Sequence, residues 1–255
     1  MKQASSQRET TAPAIRIDGV TAGYGHGAVL DAVSLSVGTG EVFGLMGLNG
    51  AGKTTLIKII LGLMPAEAGR VELFGKAAAD AQTRAQIAYL PEKFEPPAFL
   101  SGMEFLKFSL DLYHRPFSQD IVLEAADRIA LERRALERRV HTYSKGMRQK
   151  TGLMGTWLTG CPLLILDEPM SGLDPRARSL VKDEIMACRA RGMTVFLSSH
   201  ILADMDEICD TVAVLHEGRL LFADTPAKLK DNTQQEYLEK AFLKTIDTPA
   251  HQHSG

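Results

Sequence analysis

The chain is poor in cysteine, in long apolar runs and in net charge, and each shortage narrows what it can be. Its three cysteines, Cys161, Cys188 and Cys209, are odd in number and match no metal-ligand spacing. That excludes a disulfide framework and leaves free, buried thiols in a reducing compartment as the expectation. The longest apolar stretch, Leu56 to Met64, is broken by Lys58, and no run reaches the roughly 18 residues of a membrane span. The opening residues MKQASSQRETTAPA lack the apolar core of a secretory signal, so the sequence reads as cytoplasmic. If the protein works at a membrane, another chain does the spanning. With 29 basic against 31 acidic residues and a formal charge of -2, no global basic field recommends a nucleic-acid partner, and none is expected. Repeats and low-complexity tracts are absent too. What remains is 255 residues, 45% of them hydrophobic, enough for a sizeable core in one large domain or two small ones.

Against that background one stretch stands out, FGLMGLNGAGKTTLIKIIL from Phe43 to Leu61. Gly47, Leu48, Asn49, Gly50, Ala51, Gly52, Lys53 and Thr54 match G-x-x-x-x-G-K-[ST] in full, between an apolar strand and an apolar helix. The pattern arises by chance in about one chain in a hundred of this length, and its context lowers that further. Glycines let successive backbone N–H groups turn inward around a phosphate, and the following helix aims its positive end at the same anion. Lys53 adds a full charge, Thr54 offers a hydroxyl to Mg²⁺, and Thr55 follows in the first helical turn. The competing reading, a glycine turn that merely caps a core helix, explains neither the lysine nor the hydroxyl. The expected ligand is a nucleoside triphosphate with Mg²⁺.

Either side of this loop the pattern is mixed α/β. Residues 1–13 are polar and read as a disordered leader. Ile15–Val20 and Val29–Val37 alternate as two antiparallel edge strands around the glycine-rich turn Gly23–Gly27, and Arg70–Phe74 adds a third. Tyr24 sits in that turn, where an exposed aromatic either packs or stacks on a base. Ala77–Ala85 reads as a short helix before the strand Gln86–Leu90. Ser101–Leu112 and Gln119–Leu131 form a helical subdomain, and the charged run Glu132–Arg139 reads as a solvated helical face rather than a nucleic-acid patch. A further helix opens at Ser144, a plausible N-cap, and runs to Leu158. Leu163–Leu166 is a buried strand that delivers Asp167 and Glu168 at its carboxyl end, where open α/β sheets bind ligands. After the turn at Ser171–Pro175 come the helix Arg176–Arg191 and the strand Thr194–Leu197, which ends at Ser198, Ser199 and His200. A hairpin, Thr211–Leu215 with Leu220–Ala223, and two short helices complete the pattern.

Taken in order, these motifs resemble the ATP-binding subunit of an ATP-binding-cassette transporter, over roughly Ile15 to Leu229, and that resemblance narrows the nucleoside triphosphate to ATP. The resemblance implies an α/β P-loop ATPase core with a mainly parallel sheet, an N-terminal antiparallel β subdomain and an inserted helical subdomain at about 93–160. The cassette would cover 14–230, with 231–255 a C-terminal helix and polar tail. It implies that Tyr24 stacks on adenine, that Gly47–Thr54 is the Walker A loop and that Glu92 holds the Q-loop position. Ser144, Lys145, Gly146 and Met147 look like the signature that serves a partner's nucleotide; the plainer alternative is a simple capped helix. Asp167 would hold magnesium beside Thr54, Glu168 would polarise the attacking water, Asp174 would lie in the D-loop, and His200 would reach the γ-phosphate. For the family, two such subunits meet head to tail, so a second copy or a paralogous ATPase subunit is an expected partner.

Two departures sharpen this. The signature reads Tyr143-Ser144-Lys145-Gly146-Met147 rather than Leu-Ser-Gly-Gly-Gln, and position 92 is Glu rather than Gln. Both resemble subunits that pair with separate permeases of the ABC-2 exporter-like type. The expectation is therefore an ATPase on the inner face of the cell membrane, docked through Glu92–Arg115 on integral membrane permease subunits. The rivals are a soluble cassette ATPase acting on ribosomes or DNA, which usually carries two cassettes or added modules, and a regulatory nucleotide-binding protein, which intact Glu168 and His200 oppose.

Overall fold

The structure, a computed structural model, describes residues 12–23 and 27–248. Its centre is a six-stranded sheet built on β3 (Val42–Met46), whose five residues are all buried. This strand lies parallel to β8 (Thr194–Ser198) on one side and β9 (Thr211–His216) on the other. Outward from β8 come β7 (Leu163–Asp167) and β6 (Ile87–Leu90), both parallel, while β10 (Arg219–Asp224) closes the far edge antiparallel to β9. A second sheet of four antiparallel strands contains β1 (Ile15–Gly23), β2 (Ala28–Val37), β4 (Ala68–Leu73) and β5 (Lys76–Ala77) in the order β2-β1-β4-β5.

The central strands are apolar throughout because both faces are covered, and the two-residue period divides them between two cores. Phe43 and Leu45 face α1 (Lys53–Ile60) and the antiparallel sheet, packing with Leu56, Ile57 and Ile60. Val42 and Met46 face the helical side with Leu164, Leu166, Val195 and Leu197. Phe43 and Phe196, register partners on β3 and β8, stack at 5.4 Å with rings 9° apart. Full burial of a side chain of this size contributes about 1.5–3 kcal/mol.

The helical subdomain holds α3 (Gly102–Leu112), α4 (Gln119–Arg128) and α5 (Lys145–Trp157). A reciprocal capping box starts α3: the Glu104 N–H donates to Ser101 Oγ at 3.1 Å and the Ser101 N–H to Glu104 Oε2 at 2.7 Å. The expected helix Gln119–Leu131 stops at Arg128, and Ala130 turns the chain at φ 50°. The charged run that follows is no helical face. Arg133–Glu137 and Val140–Thr142 form 3-10 turns, because burying Ala135 and Leu136 pulls the backbone inward while Arg133 and Arg139 pair with Asp127 and Glu104 outside. One more expectation changes. Ala77–Ala85 is helical only in α2 (Ala81–Arg84), capped by Asp80, since Lys76 and Ala77 pair with β4. The expected hairpin forms between β9 and β10, and β9 also runs parallel to β3 inside the core sheet.

Four helices complete the site's surroundings. α6 (Pro175–Ala190) follows β7, and α7 (Leu202–Ile208), unforeseen in the sequence, follows β8. After β10 come α8 (Pro226–Thr233) and α9 (Leu238–Asp247), whose Leu238, Ala241 and Phe242 enter the larger core. Cys161 and Cys188 are buried, Cys209 partly so, and all three are free.

Candidate active site

The loop after β3 is shaped by close approach. A Cβ at Gly47 would lie 2.5 Å from the Leu215 carbonyl oxygen, and one at Gly52 would lie 2.7 Å from Leu30. Gly50 and Gly52 sit at φ 84° and 107°, where side chains are strained. The first turn of α1 carries no acidic residue and no side-chain cap, so its positive end is free for an anion. Lys53 is folded over the loop, its ammonium donating to the carbonyls of Gly47 (2.6 Å) and Leu48 (3.3 Å). That leaves one of its three donors for a ligand.

A cavity of about 590 Å³ opens at this point and is lined by Lys53, Thr54, Glu92, Asp167, Glu168 and His200. Its size suits a nucleotide. Parallel register explains the convergence, because β7 and β8 end side by side with Asp167 opposite Ser198. Ser198 Oγ donates to Asp167 Oδ1 at 2.5 Å and accepts the Glu168 N–H at 3.0 Å. Burial raises the Asp167 carboxyl above the usual carboxylate range; the Ser198 bond and Lys53 oppose the rise, while Glu92 and Glu168 add to it. Nearby Tyr89 is pushed up to about 12 by burial and by Asp167 and Glu92.

Glu168 adopts φ 51°, a left-handed conformation that costs a non-glycine residue on the order of 1 kcal/mol. Several contacts hold it there. Its carbonyl accepts the Ser171 N–H at 3.1 Å, and Gln149 Nε2 donates to the carbonyls of Pro169 (2.9 Å) and Glu168 (3.5 Å). Its carboxylate lies 2.7 Å from His200 Nδ1. The Glu168 side chain is only 11% exposed, whereas that of His200 is 62% exposed.

The residues around Ser144 and Asp174 fall elsewhere. Ser144, Gly146, Met147 and Asp174 line a separate cavity of about 400 Å³, together with Arg138 and Lys150. Ser144 caps α5 by accepting the Met147 N–H at 3.2 Å, which leaves its O–H to donate elsewhere. Asp174 caps α6 by accepting the Ala177 N–H at 2.9 Å. Lys145 Nζ reaches Ser171 Oγ at 3.3 Å, and a Cβ on Gly172 would lie 2.8 Å from its stem. The segment 171–174 thus runs between the two cavities. Leu48, Asn49 and Gly50 line the first cavity with exposed residues at its mouth, Ala51 is buried beside them, and Thr55 faces inward. Tyr24 lies outside the described residues.

Residues the sequence reading passed over also matter here: Ser198, Gln149, Ser171, Leu202 and Phe242. Ser198 had a visible signal, a serine ending an apolar strand beside another strand that ends in a carboxylate. Phe242 of α9 lines the first cavity with no such signal.

Among the described residues no three His, Cys, Asp or Glu side chains form a metal-holding group by themselves. The donor set still fits a hard divalent cation completed by phosphate oxygens, with the Thr54 hydroxyl, Asp167 and Glu92 on one cavity.

Fold and site define a P-loop ATPase, with a strand, a glycine loop and a helix set in a mainly parallel sheet. The family described as ABC transporter matches residues 30–171. An uncharacterised ABC transporter ATP-binding protein of Synechocystis is 40% identical over 80% of this chain and 59% of its own length. The fluoroquinolones export ATP-binding protein of Mycobacterium tuberculosis is 36% identical over 85% of this chain and 72% of its own. A solved structure of the ATP-binding subunit of an ABC transporter superposes with a TM-score of 0.83 at 32% identity, covering 91% of this chain and 99% of that one. The chain belongs to the ABC transporter family. It spans about three-fifths of the length of the cyanobacterial relative.

Proposed function

We propose that this chain binds and hydrolyses ATP with Mg²⁺ and energises a separately encoded membrane permease, as an exporter of the ABC-2-like type. The observation that carries the reading is the convergence of Lys53, Thr54, Asp167, Glu168 and His200 on one cavity, with Ser144 and Gly146 on another. The loop amides and Lys53 bind the phosphates. Thr54 and Asp167, with Glu92, would hold a magnesium ion, whose charge would offset that of the phosphate oxygens. Glu168 accepts a proton from water, and His200 holds that carboxylate and contacts the terminal phosphate. Because the residues of the second cavity lie away from the first, they serve the nucleotide of a second copy or a paralogous subunit. Closing such a dimer is the step passed to the permease through Glu92–Arg115, where Phe99, Phe108 and Leu112 are exposed. No described helix is long and apolar enough to cross a membrane, in keeping with a chain that reaches the inner membrane face through its partner. An export role is supported by the kinship with a fluoroquinolones export protein.

The test is hydrolysis by the purified chain with MgATP, with and without the permease in vesicles. The reading predicts turnover that rises more steeply than linearly with protein concentration and is stimulated by the permease. Turnover strictly proportional to concentration, unaffected by magnesium, would overturn it.

A further inference from the structure

We propose that Ser198 is a positioning residue that sets the two carboxylates Asp167 and Glu168 in their separate roles. The proposal rests on the reading of these residues as metal holder and water activator. Asp167 and Glu168 are adjacent in sequence, yet one must face the metal and the other the water, so the chain has to turn sharply between them. The turn is made at Glu168, whose φ of 51° is uncommon for a glutamate. Strain of this kind persists only where neighbours hold it.

Beside the Ser171 and Gln149 contacts on the carbonyl side of Glu168, Ser198 is the neighbour on its amide side, and the single Ser198 side-chain oxygen acts on both Asp167 and Glu168. Fully buried at the end of β8, it faces Asp167 across the parallel register. Its O–H donates to Asp167 Oδ1 at 2.5 Å, which fixes one carboxylate oxygen and leaves Oδ2 outside this bond. A lone pair of the same oxygen accepts the Glu168 N–H at 3.0 Å, fixing the backbone at the point of strain. A hydroxyl has one donor and two acceptor lone pairs, so it can do both at once. Alanine or valine can do neither. A core filler would not need an oxygen placed between a carboxylate and an amide, and the strand position would accept any small apolar residue. His200, two residues further on, grips the Glu168 carboxylate at 2.7 Å, so β8 and its exit hold both ends of Glu168.

The decisive comparison is Ser198→Thr against Ser198→Val in the full chain, since the two side chains share size and shape and differ by the hydroxyl. Ser198→Ala accompanies them without the added bulk. Three quantities are measured: hydrogen exchange at the Glu168 amide in metal-free protein, ATP affinity in EDTA, and ATPase rate across a MgCl₂ titration. Losing a bond to a charged group is expected to change rates by about tenfold to a hundredfold. For the Val and Ala variants we expect faster exchange at Glu168, kcat lower by that factor, a several-fold higher magnesium midpoint, and metal-free ATP affinity within about twofold of the parent. The Thr variant should stay near the parent in all three. Equal exchange and equal kinetics in the Thr and Val proteins would overturn the proposal, whatever their shared loss from added bulk. If the parent itself shows no magnesium-dependent ATP hydrolysis, the functional reading fails. Unchanged exchange at Glu168 in the Val protein would then separately overturn the hold by Ser198.

Discussion

His200 Nδ1 lies 2.7 Å from Glu168 Oε2, and the His200 backbone N–H points to the same oxygen at 3.4 Å. The two residues come from the exits of neighbouring elements, β7 and β8, and are 32 positions apart in the chain. One exposed ring thus anchors the buried carboxylate that the proposed chemistry needs most.

Glu168→Gln should leave ATP affinity within about threefold and lower hydrolysis by about a hundredfold or more, since an amide cannot accept the proton. Lys53 and Thr54 are untouched by the change. Light scattering with MgATP should then show an accumulated dimer. A variant that stays monomeric with ATP bound would contradict a site shared between subunits.

Ser144→Ala should reduce hydrolysis far more than ATP affinity of the isolated chain, because Ser144 lies on a different cavity from Lys53. Lys53→Ala does the opposite and loses ATP binding. Mixing the two inactive proteins should restore activity through heterodimers with one intact composite site. Absence of any recovery, with heterodimers present by crosslinking, would count against that arrangement.

Glu92→Gln keeps an oxygen in the cavity while removing a charge next to Asp167 and Tyr89. It should raise the magnesium concentration for half-maximal ATPase and keep maximal turnover within about tenfold. Glu92→Ala should lose the oxygen as well and weaken stimulation by a permease. A magnesium titration unchanged from the parent in both variants would leave Glu92 a docking or hinge residue.

Asp174 is held below the usual carboxylate range, first by the Ala177 backbone hydrogen bond at the start of α6. A depressed folded value means its stabilising contribution is present above the unfolded value of 3.8 and is lost as pH falls through the lower folded value. Asp174→Asn keeps the capping oxygen without the titrating charge. Acid unfolding of this variant, followed by circular dichroism, should show a shallower loss of stability below pH 3.8 than the parent. Parallel acid profiles would rule out Asp174 as a contributor.

Much of this architecture was legible before any coordinates. The phosphate loop needs glycines, a lysine and a threonine at set spacing, all local, so Gly47–Thr54 could be read directly. The same holds for strands buried on both faces, such as Leu163–Leu166, where apolar content is continuous and a polar residue marks the exit. The capping residue Ser144 is local as well, since its side chain bonds an amide three positions on.

What the chain alone could not decide was which distant segments meet and what their burial overrides. Glu132–Arg139 looks helical by charge pattern, yet two apolar side chains in it gain more from the core than the helix gains from regular hydrogen bonds. Ala77 is a fair helix former but pairs with β4 because that edge lies within reach. Ser198 holds Asp167 only because β7 and β8 run parallel in one register, a relation between residues 31 apart. Phe242 reaches the cavity wall because α9 folds back onto α7. Local spacing is enough to write a phosphate loop, but a site assembled from the ends of several strands exists only once the sheet order and register are set.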